Sequence, residues 1–439
     1  MNNHSKYTNL PKINLKNVWY LFLIIAVPIV CVGGASYIPY NLRLPLIYAT
    51  GIGFVVMFIF SDLKIKLNVV TVSSILLLAY IAISCLYSLD PSASFYLFTI
   101  YLSAFTLLFL DIPRSIISKI ITVIYVFCTV IAVSILLSAL IKDCMNTYFW
   151  FIVNPSRSPE VARAITREIS FGSYSGLARE MSDAAYIMNV GLGISFAKYF
   201  SKGKLTKSEI LIAVIFLVAI MLTGKRTMFL IPLFCMCIFL VFSNVKNKVF
   251  KFLSIFIIFL VAIFIIMMFV PEMANIINKF LDNENMENMG GRTSLWPYIF
   301  KMISRYWIFG AGFNTYNEFA YQQGLRVNGK RWEYNAHNSY FQILGELGIM
   351  GMILFLLFAV AALIFTFRLL KLIKDDQELQ KFLYFSLYIQ IMIFVYATTG
   401  NPLYTRQIIY MWAFAIGISL VVGRTFNTKK SRSLKEYEQ

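Results

Sequence analysis

Histidine is nearly absent from this chain: of 439 residues two are histidine, His4 and His337. Any chemistry that needs an imidazole therefore has one candidate outside the N-terminal tail. Charge is scarce as well. Only 14% of residues are Asp, Glu, Lys or Arg, against about 25% in a soluble domain, while 59% are hydrophobic and the mean hydropathy is +0.72. That shortage excludes a soluble globular enzyme. Cysteine is confined to Cys31, Cys85, Cys128, Cys144, Cys235 and Cys237, all inside or at the ends of apolar runs, a placement that predicts neither a structural disulfide nor a metal cluster. Repeats, low-complexity linkers and a soluble domain are missing too. The first apolar run is followed by Ala35-Ser36-Tyr37-Ile38-Pro39, a poor cleavage site, so it reads as a membrane span and not as a signal peptide.

What the chain does have is apolar runs near the length needed to cross a bilayer, about twelve of them by that criterion. They lie near Val18–Gly34, Leu44–Phe60, Val69–Tyr87, Phe95–Leu110, Ile120–Ile141, Met181–Phe200, Ile210–Thr223, Met228–Phe242, Phe252–Val270, Tyr340–Phe367, Phe382–Thr398 and Ile408–Val422. The predicted fold is all-α: one integral membrane bundle over residues 1–439 with a large extracytoplasmic loop, 271–339, that holds short helices, and a second outer loop, 142–180. Lysines cluster on the N-terminal side of this topology, at Lys64 and Lys66, Lys202 to Lys207, Lys246 to Lys251 and Lys371 to Lys381. By the positive-inside rule that side is the cytoplasm, and an even number of spans puts both termini there. The net charge of +18 is thus accounted for by topology and anionic lipids, with no nucleic acid partner.

The outer face collects arginine instead: Arg43, Arg157, Arg163, Arg167, Arg179, Arg226, Arg292, Arg305, Arg326, Arg331 and Arg406. Arginine suits bidentate, permanently charged contact with phosphate oxygens, so a phosphorylated ligand outside is one reading; the other is solvated charge on long loops that the inside rule does not govern. Arg226 stands apart. It lies in Leu222-Thr223-Gly224-Lys225-Arg226-Thr227, between apolar stretches of only about 14 and about 15 residues, so the turn must dip toward the hydrocarbon. A guanidinium there marks an intramembrane functional site, or else it snorkels to head groups as an anchor.

In the large loop, Gly290-Gly291-Arg292-Thr293-Ser294-Leu295-Trp296-Pro297 reads as a turn with a Thr or Ser cap entering a helix with proline in its first turn. Trp296, Phe300, Ile303 and Trp307 follow at helical spacing, an aromatic face suited to the membrane surface. Arg292 joins the positive end of that helix, a good place for a diphosphate. His337 comes just ahead of Asn338 and Ser339, either of which can cap the long helix beginning near Tyr340. The positive potential there favours a neutral ring, as a general base requires.

Gly291-Arg292 with Trp296, then Ile308-Phe309-Gly310-Ala311-Gly312-Phe313, then Ala336-His337-Asn338-Ser339-Tyr340 leading to Gly345-Glu346-Leu347-Gly348-Ile349-Met350-Gly351 resembles the O-antigen ligase and polymerase family over residues 290–357. The resemblance implies an inverting, metal-independent, cofactor-free glycosyltransferase of the bacterial cytoplasmic membrane, multi-pass and working on the periplasmic or extracellular side. Its donor would be a glycan on undecaprenyl diphosphate, and its acceptor a lipid-linked chain for a polymerase or the lipid A core for a ligase. His337 matches the family's catalytic histidine, and Arg292 and Arg226 its diphosphate-binding arginines. Glu346 is the acidic residue of the pattern, read as structural or as a partner for an arginine; with Arg179 and Arg406 it forms a supporting group.

The residues read by themselves agree. A sugar hydroxyl attacking an anomeric carbon that leaves a lipid diphosphate needs a base for the hydroxyl and positive charge for the leaving group. His337 supplies the first, Arg226 and Arg292 the second, and with no candidate nucleophile a single displacement is expected. The compact outer loop favours a polymerase over a ligase. A flippase or exporter of lipid-linked glycans is the rival class; the internal symmetry expected of such a transporter is not found between the two halves.

Overall fold

Polar capping residues decide where the apolar runs turn into helices. The computed structural model describes residues 15–33, 40–60, 67–141, 144–149, 173–242, 257, 294–327, 330–331 and 335–437. Within them α1 (Leu15–Cys31), α2 (Tyr40–Phe60), α3 (Val69–Leu86), α4 (Pro91–Phe109), α5 (Arg114–Leu140), α6 (Cys144–Tyr148), α7 (Met181–Lys202), α8 (Lys207–Leu222) and α9 (Arg226–Phe242) precede the large loop. Two loop helices follow, α10 (Trp296–Arg305) and α11 (Tyr316–Gln322), then α12 (Ser339–Leu372), α13 (Gln377–Ala397) and α14 (Arg406–Tyr437). Asn68 and Thr71 form a capping box at α3, Thr206 and Glu209 another at α8, and Asp90 and Asp376 cap α4 and α13. Each satisfies backbone N–H groups that the helix itself leaves without partners.

The protein is a helical membrane protein, with one two-residue antiparallel ladder among the described residues, pairing Arg326–Val327 with Lys330–Arg331. The expected count of twelve spans is not reached on the described residues. Six helices there are long and apolar enough to cross a membrane (Val69–Leu86, Pro91–Phe109, Arg114–Leu140, Ser339–Leu372, Gln377–Ala397 and Arg406–Phe426), and Lys16–Cys31, Pro45–Phe60 and Arg226–Phe242 are shorter apolar helices. The span read at Phe252–Val270 lies outside the described residues apart from Ile257. The window in α14 is 89% buried and that in α3 39%, which puts α14 at the centre of the bundle and α3 at its perimeter.

Apolar side chains gain little by leaving lipid for protein, so polar bonds between helices carry part of the packing. Gln390 of α13 donates to Thr366 of α12 at 2.9 Å and to Ser386 at 3.1 Å, and Ser419 of α14 donates to Ser386 at 2.8 Å. Asn189 of α7 donates to the Met228 carbonyl of α9 at 3.0 Å and accepts from the Tyr388 hydroxyl of α13 at 3.0 Å. At the end the charge rule assigns to the cytoplasm, Arg114 pairs with Asp376 at 3.1 Å, Lys198 with Glu209 at 3.2 Å and Arg424 with Asp111 at 3.7 Å. Segments assigned to one side thus meet one another.

The long helix α12 is not continuous. Gly348 sits at φ 65°, ψ −171°, breaking the helix inside its apolar run. The broken turn is closed by the loop after α10: Ala311 N–H donates to the Gly345 carbonyl at 3.2 Å and Gly312 N–H to that of Glu346 at 2.9 Å. In return Ile349 and Met350 N–H donate to the Trp307 and Ile308 carbonyls at 2.8 and 3.3 Å. Backbone polar groups released at membrane depth need such protein partners, because lipid offers none. Any Cβ at Gly310 would lie 2.1 Å from the Glu346 carbonyl oxygen, so this contact demands glycine.

Candidate functional site

The connector from Thr398 to Gln407, which links α13 to α14 and includes the first two residues of α14, touches the described parts of the candidate site. Asn338 donates to the Thr398 carbonyl at 3.1 Å, and the Ser339 N–H and hydroxyl both reach the Gly400 carbonyl, at 3.1 and 3.2 Å. Between those two anchors, the Thr399 hydroxyl donates to Thr227 Oγ1 at 2.9 Å. One three-residue turn therefore grips the residues that follow His337 and the residue that follows Arg226. The loop histidine and the α9 arginine, separated by more than a hundred positions, arrive at one end of the bundle.

His337 is half-buried and adopts φ 56°. Left-handed backbone is uncommon for a residue with a side chain and costs roughly 1–2 kcal/mol. Neighbours on both sides hold it there. The Ala336 peptide before it donates to Gln342 Oε1 and accepts from Trp296 Nε1, both at 3.2 Å; Asn338 after it is the N-cap of α12, accepting from Phe341 N–H at 3.0 Å. Of the two caps the sequence allows, Asn338 is the one used.

Arg226 is the first residue of α9 and half-buried. Its guanidinium thus adds to the positive end of a 17-residue helix, the usual location for a bound anion. The preceding turn is tight: Gly224 has φ 66°, and Tyr174 N–H donates to the Leu222 carbonyl at 2.8 Å. Arg292, the other expected diphosphate residue, lies outside the described residues, as do Arg157, Arg163 and Arg167 of the 142–180 loop.

The helix expected after Arg292 begins at Trp296 with Pro297 in its first turn, but Leu295 occupies the N-cap position and no side chain caps it. Its inward face is Ile299 and Met302, fully buried, while Phe300 and Trp307 are exposed. The aromatic stripe is therefore divided: Trp296 and Phe300 pack edgewise or tilted on Phe341 at 5.5 and 5.2 Å, and Trp307 faces outward.

Glu346 is fully buried, and four donors fill its carboxylate. Tyr316 N–H and Gln342 Nε2 reach Oε1 at 3.0 and 2.9 Å; Asn314 N–H and the Tyr404 hydroxyl reach Oε2, both at 2.7 Å. Of the two roles the sequence allows, structural or paired with an arginine, it takes the first. Burial, and next the Glu346 charge, push the Tyr404 phenol well above its ordinary pKa, so it stays a donor.

Arg179 and Arg406 stand at the far end of the connector. Arg179 pairs with Asp183 at 2.9 Å, Asp183 accepts from Gln407 at 2.8 Å, and Arg406 interacts with Tyr96. Arg406 Nη1 is buried with no hydrogen-bond partner. Sequence reasoning missed Thr399, Asn401, Tyr404 and Gln342; the one local signal was the turn-forming run Thr398-Thr399-Gly400-Asn401-Pro402 between two apolar helices.

Residues 211–356 match the family described as O-antigen ligase. Over that segment the chain is similar to the O-antigen ligase and polymerase family. No curated protein matches it. The matched segment takes in Arg226, His337 and Glu346 and ends near the middle of α12. Arg179, Arg406 and the whole Thr398–Gln407 connector fall outside it. The contacts that hold an O-antigen ligase-like segment together thus come partly from chain beyond its boundary.

Proposed function

We propose that this protein is a membrane glycosyltransferase that moves or extends a glycan carried on a polyprenyl diphosphate, at the outer face of the bacterial cytoplasmic membrane. The observation that supports the reading is the Thr398–Gly400 turn, which hydrogen-bonds both to Asn338 and Ser339, beside His337, and to Thr227, beside Arg226. The reaction needs a base and a cation side by side. The acceptor hydroxyl oxygen forms a bond to the anomeric carbon while the bond from that carbon to the diphosphate oxygen breaks. His337 takes the hydroxyl proton, and the lipid diphosphate leaves with the electron pair, its growing charge met by Arg226 and Arg292. One displacement of this kind inverts the anomeric centre.

Polymerase is the preferred form, on the compactness of the 271–339 loop, whose helix α10 is held on α12 by buried Ile299 and Met302 and by Trp296 and Phe300 packing on Phe341. The test is reconstitution of the purified chain with a lipid-diphosphate glycan. Chain growth supports a polymerase and transfer to an added core lipid a ligase; movement across the bilayer with no new bond would end the enzymatic reading. His337→Ala and Arg226→Ala should insert normally and abolish transfer, and unchanged product from either removes that residue from the mechanism.

A further inference from the structure

Gln342 is buried completely, one turn into α12 and five residues beyond His337. Its amide has two N–H donors and an oxygen with two lone pairs, and all four are used. Nε2 donates to Asn335 Oδ1 at 3.0 Å and to Glu346 Oε1 at 2.9 Å. Oε1 accepts Ala336 N–H at 3.2 Å and Asn401 Nδ2 at 2.7 Å. Two of these bonds go to the residues immediately before His337. The other two join the loop to the connector, through Asn401, and to the Gly310–Tyr316 loop, through Glu346. Because both partners of Oε1 are N–H donors, the amide has one orientation.

We infer that Gln342 is a positioning residue: with Asn401 and Glu346 it holds the left-handed backbone at His337 and so sets where the imidazole stands. A residue at φ 56° persists only where its surroundings over-determine it, and the Ala336 peptide, gripped by Gln342 from one side and Trp296 from the other, is that constraint. Gln342 touches no substrate in this account. It acts through the ring it places. The inference rests on the reading of His337 as the base, and its test is built to fail separately.

The chain's two histidines make the test direct, since in a His4→Ala background diethyl pyrocarbonate reports His337 alone. Gln342→Met keeps the side-chain volume and removes all four bonds. It should slow transfer at constant donor by about tenfold or more while the donor KM stays within about twofold, because misplacing a reacting group costs rate before binding. The carbethoxylation rate of His337, measured at a pH where the ring is neutral, should rise about threefold or more as the loop opens locally. Asn401→Ala removes one bond and should move both readouts the same way by less.

A wild-type carbethoxylation rate in Gln342→Met overturns the inference whatever the activity does. If that variant fails to fold, an unchanged rate in Asn401→Ala overturns it equally. Retained transfer by His337→Ala would instead sink the catalytic reading and leave the carbethoxylation result standing.

Discussion

The Thr399 hydroxyl donates a 2.9 Å hydrogen bond to Thr227, the neighbour of Arg226, and it does so from the middle of the turn that also anchors Asn338 and Ser339. Thr399→Val keeps the shape and deletes the donor. The lost bond costs about 1 kcal/mol, and the start of α9 is released from the His337 side. Transfer should fall several-fold with the donor KM rising, if Arg226 contacts the diphosphate before and during reaction as proposed. Steady-state kinetics on reconstituted protein check this; an unaltered KM would mean the α9 terminus is held by other contacts.

Strain and catalysis separate at His337. Glycine accepts φ 56° without the Cβ penalty, so His337→Gly should be more stable than His337→Ala by about 1 kcal/mol, with both inactive. Thermal unfolding in detergent reads the first quantity and product formation the second. Equal melting temperatures would mean that the left-handed backbone relaxes once the ring is gone.

Replacing Glu346 tests a buried acid whose four lone-pair sites are all occupied. Glu346→Ala strands four donors and should destabilise by about 3 kcal/mol or more. Glu346→Gln retains the shape and two of the acceptor positions and should cost clearly less. The order of melting temperatures, wild type above Gln above Ala, is the check.

At Gly348 an added Cβ would lie 2.2 Å from the Ile308 carbonyl oxygen. Gly348→Ala therefore expels the loop from the broken turn and leaves backbone groups of both without partners, a loss of several kcal/mol. Limited proteolysis at the exposed loop after α10 should accelerate sharply. Wild-type protease resistance would show that the loop docks by other contacts.

Acid should weaken the junction of α7 and α8. Burial opposes the Glu209 charge, but the Thr206 N–H and the Lys198 ammonium outweigh it, so the carboxyl is held below its ordinary value of 4.5. The folded state then binds this proton more weakly than the unfolded chain does. The stabilisation is present above the ordinary carboxyl range and lost as pH falls through the folded value. Wild type and Glu209→Gln should differ in melting temperature near neutrality and converge below about pH 4; a gap that persists in acid contradicts the pairing.

Much of the fold was legible because hydropathy and capping are local. The apolar runs supply the spans and Asn338 announces α12, whereas the caps at Asn68, Asp90, Thr206 and Asp376 emerged only in the structure. The break at Gly348 was not legible, since an apolar run looks the same whether or not one glycine inside it turns left-handed. Glu346 could be seen as an acid in the motif, yet three of its four donors come from two distant segments, Asn314 to Tyr316 and Tyr404, that no spacing rule connects. His337 and Arg226 stood out by rarity and by depth. The turn that brings them together did not, because Thr and Gly between two helices usually mean only a loop.

The connector from Thr398 to Gln407 also imposes an order in time. Membrane helices enter the bilayer from the N-terminal end as the chain is made, and the stretch that bonds to Asn338, Ser339, Thr227 and Glu346 emerges after all of them. Until α13 and α14 have inserted, the earlier helices lack the turn that ties the neighbours of His337 to the neighbour of Arg226. On the proposed function, a chain stopped before Thr398 should therefore be an inert stub in the membrane.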